Sequence, residues 1–358
     1  MTGPDPRTTW PDVLTTLLAG EDLDAHRAGW AMDEIMSGNA TAVQVAGFLV
    51  ALRSKGETID ELRAVADTML AHAHRIEVPG DCMDIVGTGG DRANTVNIST
   101  MAAMVVAAAG VTIVKHGNRA ASSKSGTADC LEALGIDLSV GPERVAEVAQ
   151  RAGITFCFAQ LFHPSMRHAA VPRAELGIPT LFNVLGPLTN PAQPRYAAVG
   201  VARADMAPLV AGVFAARGKR TAVFRGDDGL DEVTVSTTSR VWWASGEAGD
   251  SVREFVVDPE RLGVSPAPLL SLRGGDGRHN AGVVLDVFGG ATGPIRDAVV
   301  LNAAVALAVA SGDPVTDQDE FTAALERGMV RAAEAIDSGA ASATLARWRD
   351  VSTQAASR

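Results

Sequence analysis

The sequence predicts an α/β fold: a large domain with a mainly parallel central sheet flanked by helices, plus a small all-helical N-terminal domain. Three observations point there. Residues 10–74 carry apolar positions at helical spacing only. From "IEVPGDCMDIVG" onward, short apolar runs alternate with longer helical segments, the rhythm of a parallel sheet covered on its faces. The length of 358 residues, 47% hydrophobic and 20% charged, supports a sizeable core in two domains or in one domain with an appendage.

The helical part, residues 1–78, is read from its stops. "WPDVLTTLLAG", "DLDAHRAGWAMDEIMSG" and "TAVQVAGFLVALRSKG" each end at a glycine, with Ser, Thr or Asp near the next start. Residues 79–358 form the large domain. Its strands are read at "MDIVG", "VTIVKHG", "ITFCFA", "YAAVGVA" and "RTAVFRG". The helices between them are "STMAAMVVAAAG", "TADCLEALG", "PERVAEVAQRAG" and "MAPLVAGVFAARG". "VTVSTTSRVWWAS" breaks the alternation and reads as two β-rich runs in an antiparallel hairpin. The Pro-rich stretch 163–191 reads as irregular, and part of the 160–192 segment crosses back to the small domain. From Asn280 to Trp348 the pattern returns to helix.

The net charge of -11 argues against a nucleic-acid or anionic-membrane binder, for which a basic footprint is expected. Anionic small molecules remain compatible, since one basic pocket suffices for them. The three cysteines, Cys82, Cys130 and Cys157, form no CxxC pair and read as reduced, buried thiols. The N-terminus lacks a basic region followed by an apolar core, and stretches such as Met101–Gly110 are too short to span a bilayer. The expected location is the cytoplasm.

The stretch "DIVGTGGDRANTVNIST" carries the first functional signal. A strand ending at Val86 delivers Gly87, Gly89 and Gly90 to the carboxyl edge of the sheet, where open α/β sheets bind ligands. Glycine permits positive φ and close approach of backbone to ligand. Ser99 or a neighbour then opens a helix, whose first amides suit phosphate. A tight strand–helix turn without a ligand explains the same glycines, and this loop alone does not separate the two. It is not a Walker loop, because no Gly-Lys-Ser/Thr follows. A second loop, "VTIVKHGNRAASSKSGTAD", brings Lys115, His116, Asn118, Arg119, Ser122 and Ser123 to another strand end. Cations, hydroxyls and amides together favour an oxyanion site over a solvated basic turn. Two such loops suggest a ligand with several phosphates.

"GDDGLDEVT" supplies four acids. Asp227 and Asp228 read as a solvated turn, whereas the adjacent Asp231 and Glu232 suit Mg²⁺, which takes one or two carboxylates plus phosphate oxygens. The histidines assemble no metal site: His72 and His74 lie two apart on a helix, and His163 and His168 lack i, i+4 spacing. No GxSxG elbow marks a serine hydrolase.

Together "GTGGD", "NIST", "KHGNRAASS", "LFNVLGPLTNP" and "DEVT" make the chain resemble the anthranilate phosphoribosyltransferase family, in family order and over nearly its whole length. The resemblance implies a homodimeric enzyme of tryptophan biosynthesis. It would transfer the phosphoribosyl group of PRPP to the amine of anthranilate, releasing pyrophosphate. It places PRPP against Gly87, Gly90, Asp91, Thr95, Asn97, Ile98, Ser99 and Thr100, and against Lys115, His116, Gly117, Asn118, Arg119, Ala120, Ala121, Ser122, Ser123 and Thr127. It places anthranilate at Asn118 and Arg173, with Gly87 nearby. It also implies two Mg²⁺ per monomer, one on Ser99 with Glu232 and the other on Asp231 with Glu232. Two positions depart from common family patterns: Thr127 stands for Ser, and Pro179 stands for Arg before Thr180.

No general base is required of the chain. The aromatic amine is neutral at pH 7, and breaking the bond from C1′ to pyrophosphate leaves an oxocarbenium-like centre. Positioning and stabilisation of the anionic leaving group would carry the rate. Two rivals are a pyrimidine nucleoside phosphorylase, whose Lys/Ser/Gly-rich loop is absent here, and a non-catalytic nucleic-acid binder, disfavoured by the acidic balance.

Overall fold

A computed structural model describes residues 8–119, 125–246 and 251–357. The chain opens with α1 (Trp10–Leu18), α2 (Ala25–Met36), α3 (Ala42–Lys55) and α4 (Ile59–Ala71). Local chemistry sets each start. Thr9 and Asp24 accept from the backbone N–H three residues on, and Thr41 with Gln44 and Thr58 with Glu61 close capping boxes. Gly56, at φ 91°, ends α3 in a conformation other side chains resist. His72 only caps α4 and His74 lies beyond it, so the two histidines do not share a helix as expected.

The sheet and its helices follow: β1 (Met83–Gly87), α5 (Ile98–Ala108), β2 (Ile113–Gly117), α6 (Thr127–Ala133), α7 (Pro142–Ala152) and β3 (Ile154–Phe158). Next come α8 (Ala159–Phe162), α9 (Arg167–Leu176), α10 (Phe182–Leu188), β4 (Tyr196–Gly200), α11 (Ala207–Ala216) and β5 (Arg220–Gly226). The chain finishes with β6 (Ser239–Ser245), β7 (Arg253–Val257), α12 (Gly277–Phe288), α13 (Pro294–Ser311), α14 (Gln318–Asp337) and α15 (Ala340–Ala356). Strand order is β3-β2-β1-β4-β5-β6-β7, parallel from β3 through β5 and antiparallel at β6 and β7. The order reverses direction between β1 and β4, so a crevice opens there at the carboxyl ends. α13 is the one described helix long and apolar enough to cross a bilayer, and 67% of it is buried inside the protein.

Two expectations need correction. The Pro-rich crossover is not irregular: it forms α9 and α10, with Pro172 and Pro187 inside them. Ala169, Phe182, Val184, Leu185 and Leu188 bury there in one core with α1–α4, and that packing outweighs the carbonyl contacts each proline costs. The antiparallel hairpin is β5–β6, not a pairing within "VTVSTTSRVWWAS", and β7 adds a strand the pattern did not show. Val233 stays out of the sheet because Asn302 of α13 takes over its backbone: Val233 N–H donates to Asn302 Oδ1 at 2.9 Å, and Asn302 Nδ2 donates to the Val233 carbonyl at 2.8 Å.

Candidate active site

The glycine loop runs from the end of β1 to the start of α5. Gly89 and Gly90 both have positive φ, 69° and 90°, so the turn uses the conformational freedom expected of them. Arg92 and Asn94 also sit at positive φ, 63° and 53°, in the same loop. The far end of the loop is clamped by the segment ahead of α12. Thr95 bridges Arg273, Val96 N–H donates to the Leu272 carbonyl at 2.9 Å, and Gly274 N–H donates to the Asn94 carbonyl at 2.8 Å.

Asp231 and Glu232, each 8% exposed, sit in the crevice between β1 and β4. Asp231 Oδ2 accepts from Gly89 N–H at 2.6 Å, and Glu232 Oε1 accepts from Ser99 N–H in the first turn of α5 at 3.1 Å. A Cβ on Gly87 would overlap the Asp231 carboxylate, and one on Gly200 would overlap its carbonyl oxygen. Both strand ends therefore need glycine for the acidic loop to enter. Burial, then the Asp91 charge, pushes Asp231 up to about 7, and burial with the Asp231 charge raises Glu232 well above the usual carboxylate range. Lys115 lies beneath the pair, donating to the Ile85 carbonyl and to Ser99 Oγ at 3.2 Å. Burial lowers its pKa, against the pull of Asp84, Glu232 and Asp231. Among the described residues one buried cation thus faces several acids, an excess that a divalent cation would relieve.

Asp84 completes the floor. Its oxygens accept from His116 N–H at 3.1 Å and from Asn190 Nδ2 at 2.8 Å, while burial pushes it up to about 6. Asn190 lies in the quoted "LFNVLGPLTNP", but its partner, 106 residues away, could not be read from spacing.

The profile described as "Glycosyl transferase family, a/b domain" matches residues 79–342, and "Glycosyl transferase family, helical bundle domain" matches residues 11–73. Anthranilate phosphoribosyltransferases of Nocardioides sp. and Arthrobacter sp. are each 58% identical, covering 95% of this chain and 98% and 95% of their own. The chain belongs to the anthranilate phosphoribosyltransferase family. Among solved structures, that of the Thermus thermophilus enzyme superposes with TM-score 0.87 at 39% identity, covering 96% of this chain and 99% of its own. The Saccharomyces cerevisiae enzyme in complex with PRPP and Mg superposes with TM-score 0.87 at 29% identity, covering 97% and 99%.

Residues expected from the family motifs fall into three groups. Gly87, Gly90, Asp91, Thr95 and Asn97 lie on the segment from the end of β1 to the N-cap of α5, with Gly87 and Asp91 next to Asp231, and Ile98, Ser99 and Thr100 form the first turn of α5. Lys115, His116 and Gly117 end β2. His116 is buried with Nδ1 against the Gly186 carbonyl at 2.9 Å, and burial lowers its pKa to about 4, so the ring is neutral. Asn118 Oδ1 accepts from Arg119 N–H at 2.8 Å, and Thr127 is the first residue of α6. Ala120, Ala121, Ser122 and Ser123 lie outside the described residues. The Arg119 guanidinium does not face the glycine loop: it pairs with Glu132 at 2.6 and 2.8 Å and with Asp129 at 3.2 Å, over the Phe158 ring.

Arg173 stands apart on α9. Its guanidinium lies 5.0 Å over the Phe182 ring, and among the described residues it has no carboxylate partner, Glu175 included. Burial alone moves its pKa, downward. Pro179 is exposed beyond the end of α9 and supplies no cation.

Proposed function

We propose that the crevice at the carboxyl ends of β1 and β4 transfers the 5-phosphoribosyl group of PRPP to the amine of anthranilate. The products are N-(5-phosphoribosyl)anthranilate and pyrophosphate, in a Mg²⁺-dependent step of tryptophan biosynthesis. One observation carries the reading: the buried Asp231–Glu232 pair, outnumbering the cations near it among the described residues, held against a glycine loop and the first turn of α5. Among the described residues no three His, Cys, Asp or Glu side chains gather as a self-sufficient metal cage. Two carboxylates that need phosphate oxygens to complete a shell fit Mg²⁺. Ser99 with Glu232 would hold one ion and Asp231 with Glu232 a second, and the bound metal would neutralise charge on the departing pyrophosphate.

The chain's own groups do the positioning. Gly87, Gly90, Asp91, Thr95, Asn97, Ser99 and Thr100 hold PRPP from the glycine loop, and residues from Lys115 to Ser123 with Thr127 hold it from the other. The neutral anthranilate amine attacks C1′ as the bond to pyrophosphate breaks, and sheds its proton once the new bond raises its acidity. Asn118 and Arg173 orient the anthranilate, with Gly87 nearby. PRPP- and Mg²⁺-dependent loss of anthranilate fluorescence tests the reaction, and turnover of thymidine with phosphate instead would overturn it.

Arg173 recognises the anthranilate carboxylate because a partly desolvated guanidinium, with no carboxylate partner among the described residues, offers two parallel donors to it. Arg173→Ala should raise the anthranilate KM by roughly ten- to a hundredfold, the value of a charge-assisted hydrogen bond. PRPP binding by calorimetry should stay near wild type, and Lys should rescue only in part. Unchanged anthranilate kinetics would move carboxylate recognition to Asn118.

The small helical domain is taken as residues 1–78 with part of 160–192, and the large domain as 79–358. The homodimer is proposed to form through the small domain. Val43 and Val50, seven apart on one face of α3, are exposed beside Gly47, which a methyl would place 3.6 Å from Leu14 of α1. Leu18 of α1 and Val171 of α9 are exposed as well. Val43→Glu should shift sedimentation from dimer to monomer, and an unchanged dimer would place the interface elsewhere. The three free, buried cysteines support a reducing compartment, the cytoplasm.

A further inference from the structure

Asn97 occupies the N-cap of α5, yet its side chain makes no cap hydrogen bond. Asparagine at an N-cap ordinarily accepts from the first-turn amides. Here the side-chain oxygen is engaged elsewhere, by Asn280 Nδ2 at 2.8 Å, from a residue 183 positions away in α12 that is 1% exposed.

The orientation of both amides follows from one backbone group. Gly275 N–H can only donate, and it meets a terminal atom of Asn280 at 2.8 Å, so that atom is the oxygen. The other end of Asn280 is then NH₂, and the Asn97 atom facing it must be the oxygen. This leaves the Asn97 NH₂ with no protein acceptor among the described residues, on a side chain that is partly exposed. The neighbouring backbone reinforces the arrangement, because the segment 272–274 already clamps the glycine loop at residues 94–96.

We propose that Asn280 is a positioning residue for the transfer: it locks the Asn97 amide so that its NH₂ end, not its oxygen, is offered to the anionic phosphoribosyl donor. This rests on the reading that Asn97 contacts PRPP. An oxygen presented there would repel the donor, and an amide free to flip would spend part of its time in that orientation.

Asn280→Asp is the sharpest test. One carboxylate oxygen still accepts from Gly275 N–H, but the other now faces Asn97 as an acceptor, so the Asn97 amide turns over. The PRPP KM should rise roughly ten- to a hundredfold, with the anthranilate KM close to wild type and some loss of melting temperature from burying a charge at a position that is 1% exposed. Asn280→Ala carries no charge and leaves Asn97 unlocked. With the two orientations equally populated it should raise the PRPP KM about twofold. Asn97→Ala should itself raise the PRPP KM, and in that background Asn280→Asp should add almost nothing.

Loss of the effect in the Asn97→Ala background supports the proposal. Persistence of the full factor there overturns it, because the added charge or a disturbed α12 would then be acting directly. An unchanged PRPP KM in both Asn280 variants also overturns it. If Asn97→Ala alone leaves the PRPP KM unchanged, the reading of Asn97 as a donor contact fails first, and the proposal falls with it.

Discussion

Glu232→Gln is expected to lower Mg²⁺-dependent turnover by about 10²–10³, the usual cost of removing one preorganised electrostatic contact from a site where charge develops. The same substitution should not weaken the ligand-free fold at pH 8. Asp231 is pushed up to about 7 and Glu232 well above its ordinary range, because both are buried beside each other and Asp91. A carboxyl with a raised folded pKa binds its proton more tightly when folded. Stability is therefore present at low pH and falls as pH rises from the unfolded value, roughly 4, through the folded one. Gln removes one of the charges that cause this fall. The melting temperature without Mg²⁺ should thus be equal or higher in Glu232→Gln at pH 8, with the gain shrinking as pH falls and the native carboxyl takes up its proton. Lys115 keeps Asp84 and Asp231 as counter-charges, so no buried cation is stranded. Near-normal turnover at moderate Mg²⁺ would sink the metal assignment. A lower melting point at pH 8 would show instead that the Glu232 charge is a net stabiliser beside Lys115.

Gly200→Ala is expected to do comparable damage from a residue that touches no substrate in the family motifs. Gly200 ends β4, in register with Gly87 of β1. Its backbone conformation suits any residue, so the effect is steric. The new methyl would overlap the carbonyl oxygen of Asp231, a backbone atom that cannot swing away as a side chain would. The loop must shift, taking the acidic pair with it, and a displacement of about 1 Å in a positioned group costs on the order of 10² in rate. Overpacking of this kind destabilises by about 1–3 kcal/mol, which a thermal melt resolves. The expected signature is a large loss of turnover with a modest loss of stability, and Mg²⁺ titration should show a weakened response. Wild-type turnover with an unchanged melt would mean the loop tolerates the displacement and that its placement is not what drives catalysis.

Much of the molecule was legible because its causes are local. Helix starts at Thr9, Asp24, Thr41 and Thr58 follow from side chains reaching amides three residues away. The positive φ of Gly89 and Gly90 follows from the only residue type that adopts it without penalty. Alternation of apolar runs determined the parallel strands and their helices, and the acids of "DEVT" announced themselves as a pair.

What the tertiary structure alone decided are contacts between residues far apart in the chain. Prolines at 172 and 187 read as breakers, yet packing of α9 and α10 with α1–α4 in a single core made them helix. The run at Val233–Val235 has strand composition, but Asn302, 69 residues away, satisfies Val233 and keeps it as loop. Arg119 reads from sequence as an anion ligand, and only the structure shows that its guanidinium also reaches Glu132 of α6. Asp231 lies 142 residues from Gly89 and Glu232 lies 133 from Ser99, so their union waits on β1 and β4 becoming neighbours. Local propensity acts through hydrogen bonds three or four residues long, whereas this site exists only once the burial of a whole sheet has brought its strand ends together.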